Sequence, residues 1–101
     1  MRTIRHPAIE DVTLPQVLHA LSDPVRLNVV RQLALAGEAT CSALECGRPK
    51  SSMSHHFRVL RDAGLVRTRT EGPAHMNDLR RMEIDRLFPG LLAAVLVAGS
   101  R

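Results

Sequence analysis

The chain has no tryptophan, no tyrosine and only two phenylalanines among 101 residues. That scarcity excludes a surface that stacks single-stranded bases on aromatic rings. Its two cysteines, Cys41 and Cys46, do not make a disulfide framework. Placed on one helix, five residues apart, their Cα atoms would sit about 8–9 Å apart on divergent bearings, beyond the roughly 7 Å that a disulfide tolerates. The longest apolar run, Leu91 to Ala98, is far too short to span a bilayer, so no membrane partner is expected. The first twelve residues, MRTIRHPAIEDV, lack the apolar segment of a secretory signal, and the expected location is cytoplasmic. There is no Cys-x-x-Cys, no glycine-rich phosphate loop and no nucleophile set in an elbow. Ser54 beside His55 is not a catalytic pair, because neighbours on a helix point about 100° apart. An enzyme is therefore not expected, and neither is a cofactor. No internal repeat or low-complexity stretch is present.

What remains is one domain, 45% hydrophobic, with a formal charge of +4 and a pI near 10.4. A basic balance of this size suits a polyanionic partner. A core this small also leaves room for support from a further interface.

The stretch KSSMSHHFRVLRDAG, residues 50–64, organises the rest. Wound as an α-helix it sorts into two faces. Lys50, Arg61, Ser54, Arg58, Ser51, Asp62 and His55 share an arc of roughly 140°. Met53, Phe57, Leu60 and Ala63 lie opposite, with His56 among them, and form the stripe of a helix packed on a core. Gly64 stands where a left-handed C-terminal cap belongs. The polar arc carries cations and small hydroxyls with a single acid. A merely solvated helix face is the plainer alternative, but this one suits a nucleic-acid groove.

Taken in order, residues 1–12 show no periodicity and read as a mobile N-terminal arm, followed by one domain over residues 13–98. His6, Glu10 and Asp11 of the arm read as polar tail residues rather than metal ligands. Thr13-Leu14-Pro15-Gln16 looks like a helix start, with a hydroxyl cap and proline in the first turn. Leu14, Val17, Leu18 and Leu21 make its apolar stripe. Asp23 caps the next helix and Pro24 opens it, and Gly37 ends it after Ala36. Its buried side is expected at Leu27, Val30, Leu33 and Ala34. Thr40 caps a short third helix, and Gly47-Arg48-Pro49 breaks the chain before Lys50. A short helix, a turn and a longer basic helix make a helix-turn-helix.

Beyond Gly64 the helical period stops. Leu65 to Thr70 is rich in β-formers and places Arg67 and Arg69 on one side by alternation. Glu71-Gly72-Pro73 is a turn signal, and residues 75–79 return as the partner strand. The expected fold is thus mainly α with a small β-hairpin, a winged helix-turn-helix. At the C-terminus Pro89 should break the helix, giving a turn of helix at 83–88 and a second helix starting near Pro89. The terminal stripe is wide enough to need cover beyond a small core. It predicts a homodimer seam of Leu91, Leu92 and Val95, shared with Leu14, Val17 and Leu18, against the alternative of ordinary packing within the chain.

The runs ALSDPVRLNVVRQLALAGEATCSAL and SSMSHHFRVLRDAGLVRTRTEG resemble the ArsR/SmtB family of bacterial winged-helix repressors, over roughly Leu18 to Leu79. SDPVRL at 22–27 and SHHFRVLRDAGLV at 54–66 are the most specific parts of the likeness. The resemblance implies an α-helical homodimer with a β wing, bound to operator double-stranded DNA and released when an inducer binds or oxidises it. It assigns recognition to Lys50, Ser51, Ser54 and His55, with Arg58 nearby, the same residues that share the polar arc. It makes Arg67 and Arg69 contacts to phosphate or the minor groove, and it turns His56 inward.

Metal-responsive members of that family carry a Cys-Val-Cys pattern at the start of the third helix, where this chain has Thr40-Cys41-Ser42. One sulfur cannot make a trigonal thiolate site. Glu83 and Asp85, with no histidine on their helix, are a poor zinc set. No metal site is expected, and the inducer is unidentified. Cys41, near a helix N-terminus, is a candidate for oxidation, with a small half-buried residue as the alternative. A winged-helix module that binds another protein instead of DNA is the competing function.

Overall fold

The computed structural model describes residues 4–100. Leu14–Leu21 (α1) begins as expected: Thr13 Oγ1 accepts from the Gln16 backbone N–H and donates to the Gln16 side chain. Pro24–Ala36 (α2) is capped by Asp23, whose carboxylate accepts from the backbone N–H groups of Val25 and Arg26 at 2.8 and 3.0 Å. Thr40 caps Cys41–Glu45 (α3) through the Ala43 N–H. Lys50–Asp62 (α4) then starts after Pro49. It ends in a Schellman motif, with Leu65 N–H donating to Leu60 O and Gly64 N–H to Arg61 O. Gly64 has φ +84°, and a Cβ there would collide with the Val12 side chain, so both conformation and space call for glycine.

Val66–Glu71 (β2) and Ala74–Leu79 (β3) form the antiparallel hairpin, with Arg67 opposite Asp78 and Arg69 opposite Met76. A third strand, Glu38–Thr40 (β1), joins the far side of β3, in the order β1-β3-β2. Three residues are too few for alternation to announce a strand. β1 forms because the edge of β3 offers unpaired backbone groups next to where α2 ends. Arg81–Leu87 (α5) and Leu91–Ala98 (α6) follow, separated at Pro89 and at Gly90, which is left-handed. The expected break is therefore present, with α5 starting two residues early.

The apolar stripe of α4, Met53, Phe57 and Leu60, meets Val17, Ala20 and Leu21 of α1, Val29, Val30 and Leu33 of α2, and Leu65, Val66, Ile84 and Leu92 in one core. On α2 the buried face is rotated from the expected one. Val29 and Arg26 are buried, while Leu27 and Ala34 are only half-buried.

Two expectations need correction. Val17 and Leu92 have no exposed surface within one chain, so they belong to the protomer core and not to a seam between copies. The apolar period that marks a helix for burial does not say which neighbour buries it. Residues 4–12 are docked and not a loose arm, and residues 1–3 of the expected arm lie outside the described residues. Ile9–Asp11 forms a 3-10 turn, Val12 is buried against Gly64, Arg80 Nη1 donates to Pro7 O at 2.8 Å, and the Thr68 backbone N–H donates to His6 Nε2 at 2.9 Å. β2 is an edge strand, and an outward N–H on such a strand needs an acceptor.

Candidate nucleic-acid interface

α4 owes its pose to contacts that begin at the end of α1. Arg26 is buried, and its guanidinium donates to Ala20 O at 2.8 Å and His19 O at 3.2 Å. Ala20 O lacks the usual helical donor because residue 24 is proline. Arg26 Nη1 also lies 3.2 Å from His56 Nδ1. Arginine can only donate, so in this contact the His56 nitrogen is the acceptor. Asp23 Oδ2, 3.8 Å from the same nitrogen, is the weaker neighbour. Burial pushes the Asp23 carboxyl upward. The backbone N–H and the charge of Arg26, with the backbone N–H of Val25, outweigh that push and hold it below the ordinary range. SDPVRL thus works as a unit: Asp23 caps α2, Pro24 opens it, and Arg26 ties α1 to the inward-turned His56 of α4.

With that side fixed, Lys50, Ser51, Ser54, His55 and Arg58 all lie exposed on the opposite face of α4. None of these five makes a salt bridge with a described residue. Between this face, the start of α3 and the wing turn runs a cleft of about 450 Å³, lined by Cys41, Ser42, Lys50, Ser54, Arg61 and His75. A second cleft, of about 620 Å³, lies between the far end of α4, the hairpin and the arm, and is lined by Arg5, Arg58, Arg61, Asp62, Thr70 and His75. Arg61 and His75 border both.

The wing arginines are placed differently. Both are exposed on the outer face of the hairpin. Arg67 pairs with Glu83 at 2.8 Å and stands 3.8 Å from Asp78. Arg69 pairs with Glu38 at 2.9 Å and Glu71 at 3.0 Å. Alternation put the two on one side, but acids supplied by β1, β2, β3 and α5 meet them there. Arg80 donates to both oxygens of Glu83, and this bonding, with the charges of Arg80 and Arg67, holds the Glu83 carboxyl below its usual range. Arg67 therefore joins a network that fastens α5 to the base of the wing.

Cys41 is half-buried at the first position of α3, and its Sγ accepts from Asn77 Nδ2 at 3.2 Å. Buried Asn77 also donates to Ala39 O and accepts from Thr68 Oγ1 at 2.6 Å. Cys46 is exposed and left-handed at the end of α3, and both thiols are free. Arg5, Arg61 and His75 are absent from the recognition set that the sequence suggested. Arg61 was visible on the polar arc, whereas Arg5 and His75 reach the site only through tertiary packing.

A helix-turn-helix with an exposed cationic second helix, followed at once by a β wing, defines a winged-helix DNA-binding transcriptional regulator. A helix-turn-helix domain family matches residues 21–69. The arsenical resistance operon repressor of Staphylococcus xylosus is 36% identical over 79 residues, covering 77% of this chain and 76% of that protein. The crystal structure of an ArsR family transcriptional regulator superposes with TM-score 0.68 at 27% identity, over 87% of this chain and 98% of the other. The homodimeric winged helix-turn-helix domain of a possible ArsR-family regulator from Mycobacterium bovis gives TM-score 0.67 at 26% identity, over 80% and 76%. The chain belongs to the ArsR/SmtB family of winged-helix transcriptional regulators. Among the described residues, no helix is long and apolar enough to cross a membrane.

Proposed function

We propose that this regulator is a homodimeric repressor, not an enzyme, that holds operator double-stranded DNA through Lys50, Ser51, Ser54, His55 and Arg58 and lets go when an inducer acts. The observation that carries the reading is the face of α4, where cations and hydroxyls stand exposed and unpaired by any acid among the described residues. Lys50 and His55 can donate to base acceptors, and the serines can serve bases or phosphates. Two copies would set two such helices into successive major grooves, about one helical turn apart. Repression is supported by the name of the staphylococcal relative.

The dimer is supported by the homodimeric mycobacterial neighbour and by exposed apolar side chains on α1 and in the C-terminal helices. Leu14 and Leu18 are 41% and 47% exposed, Leu91 and Val95 are half-buried, and Leu87 and Val97 are exposed. With Val17 and Leu92 withdrawn into the core, the seam rests on Leu14, Leu18, Leu91 and Val95, with Leu87 and Val97 beside them. In the wing, Arg69 lies among acids that are themselves exposed, so it can exchange carboxylates for phosphates at small cost. Arg67, anchored to Glu83, contributes more to wing placement than to DNA.

For release, the inducer is not a metal at the family's familiar sites, since Thr40 and Ser42 stand where a thiolate pair would be needed. Oxidation would act at Cys41. Peroxide converting its thiol to sulfenic acid, with water as the other product, would place an extra oxygen where the Asn77 amide donates.

Fluorescence anisotropy with a labelled duplex from the chain's own upstream region tests the central claim. Wild-type protein should bind it tightly and as a dimer, and His55→Ala and Ser54→Ala should lose discrimination against unrelated duplex. Wild-type protein indifferent to every duplex at low salt refutes the reading.

A further inference from the structure

The N-terminal arm lies outside the matched helix-turn-helix and ends beside the interface just described. Its course is set by three attachments: Val12 packed on Gly64, Pro7 O held by Arg80 Nη1, and His6 Nε2 accepting from the Thr68 N–H. These carry Ile4 and Arg5 into the cleft that also holds Arg58, Arg61 and His75. Arg5 is exposed and makes no salt bridge with a described residue. The cleft thus gathers three guanidinium groups and one imidazole against a single carboxylate, Asp62. Like charges brought together at the surface repel unless an anion shares them, and this cleft opens between the recognition helix and the wing.

We propose that the docked arm is part of the DNA-binding surface. Arg5 with Arg58 and Arg61 holds a backbone phosphate of the duplex, and the His6–Thr68 bond pins the arm in the position that makes this possible. The guanidinium suits the ligand because its forked donors match phosphate oxygens. The contact is independent of sequence, since phosphates fix register and carry no base identity. The pinning has its own support. Burial, then the charges of Arg80, Arg61 and Arg67, lower the pKa of His6 against the opposing pull of Asp78, which keeps its Nε2 available as an acceptor.

This inference rests on the DNA-binding reading, and one titration separates their failures. Full-length wild type, Arg5→Gln, His6→Ala, the double variant and Arg86→Gln are each titrated with a labelled random-sequence duplex over a range of salt concentrations. Arg86 is exposed on α5 and lines neither cleft, so its substitution controls for net charge. Arg5→Gln should lower affinity at every salt concentration and flatten the log–log salt slope by about 0.9 for each phosphate no longer neutralised. His6→Ala should give the same change, the double variant no more than either, and Arg86→Gln none. A wild-type slope in Arg5→Gln, or an equal flattening in Arg86→Gln, overturns the phosphate-binding role of the arm while leaving the regulator reading intact. Additive losses in the double variant, or a wild-type slope in His6→Ala alone, overturn the pinning. No binding by wild type overturns both readings together.

Discussion

Replacing Arg26 by methionine removes the clamp between α1, α2 and the recognition helix while keeping most of the side-chain volume. Arg26 is 7% exposed and makes three bonds, to Ala20 O, His19 O and His56 Nδ1. His19 O keeps the Ser22 N–H and hydroxyl as donors, so its loss is small. Ala20 O has no replacement, since proline at 24 offers no N–H, and an orphaned buried acceptor costs about 1–3 kcal/mol. His56 loses a charge-assisted partner, worth about 1.5–3 kcal/mol. The apolar methionine recovers part of this, because burying a guanidinium is itself expensive. The expected net loss is about 2–4 kcal/mol, or roughly 10–25 °C of melting temperature for a chain of this size. The assay is urea and thermal unfolding at one fixed protein concentration, since the apparent stability of a dimer would depend on concentration. A cycle with His56→Ala should show coupling of about 0.5–3 kcal/mol. A loss below about 1 kcal/mol with no coupling refutes the clamp.

Other outcomes follow from the same geometry. Gly64→Ala, strained by its left-handed backbone and by Val12, should destabilise by more than about 1 kcal/mol in urea unfolding, and a neutral result would contradict the packing of the arm. Leu18→Glu should convert the dimer to single subunits in light scattering, whereas an unchanged mass would remove α1 from the seam. Glu71→Gln should relieve Arg69 of one carboxylate and strengthen binding to all duplexes, with a steeper salt slope; weaker binding would argue against any phosphate role for Arg69. His6 has a lowered folded pKa, so docking of the arm is fully present above the unfolded value near 6.5 and is lost as pH falls toward the folded one. Hydrogen exchange at the Thr68 amide should therefore accelerate on acidification in wild type, relative to the intrinsic rate. In His6→Ala the protection should be low at every pH, and equal protection in both would refute the bond.

The parts of the fold governed by local rules were legible in the sequence. Thr13, Asp23 and Thr40 cap helices, Gly64 ends one and Pro89 separates two, because each acts within a few residues of itself. The polar arc of α4 was legible for the same reason, since one helical period fixes which side chains share a face. Partnership over long sequence separations was not. Arg67 and Arg69 alternate correctly, yet Glu83 and Glu38, which neutralise them, are 16 and 31 residues away. The arm shows no period because it is held by single bonds to the sheet and not by a repeating stripe. Val17 and Leu92 looked like interface residues because hydrophobicity alone cannot tell a neighbour within the chain from one on another copy. Cys41 has a similar history: its place near a helix start was readable, while its bond to Asn77, 36 residues on, needed the fold.

Strand β1 has a mechanical consequence. By pairing with β3 immediately before α3 begins, it ties the start of α3 to the wing, so the two cannot part there without breaking backbone bonds. On the dimeric reading proposed above, release is expected to alter chiefly the separation between the two copies. Spin-label distances measured across a dimer should change on induction, while those between α4 and the hairpin of the same copy stay fixed.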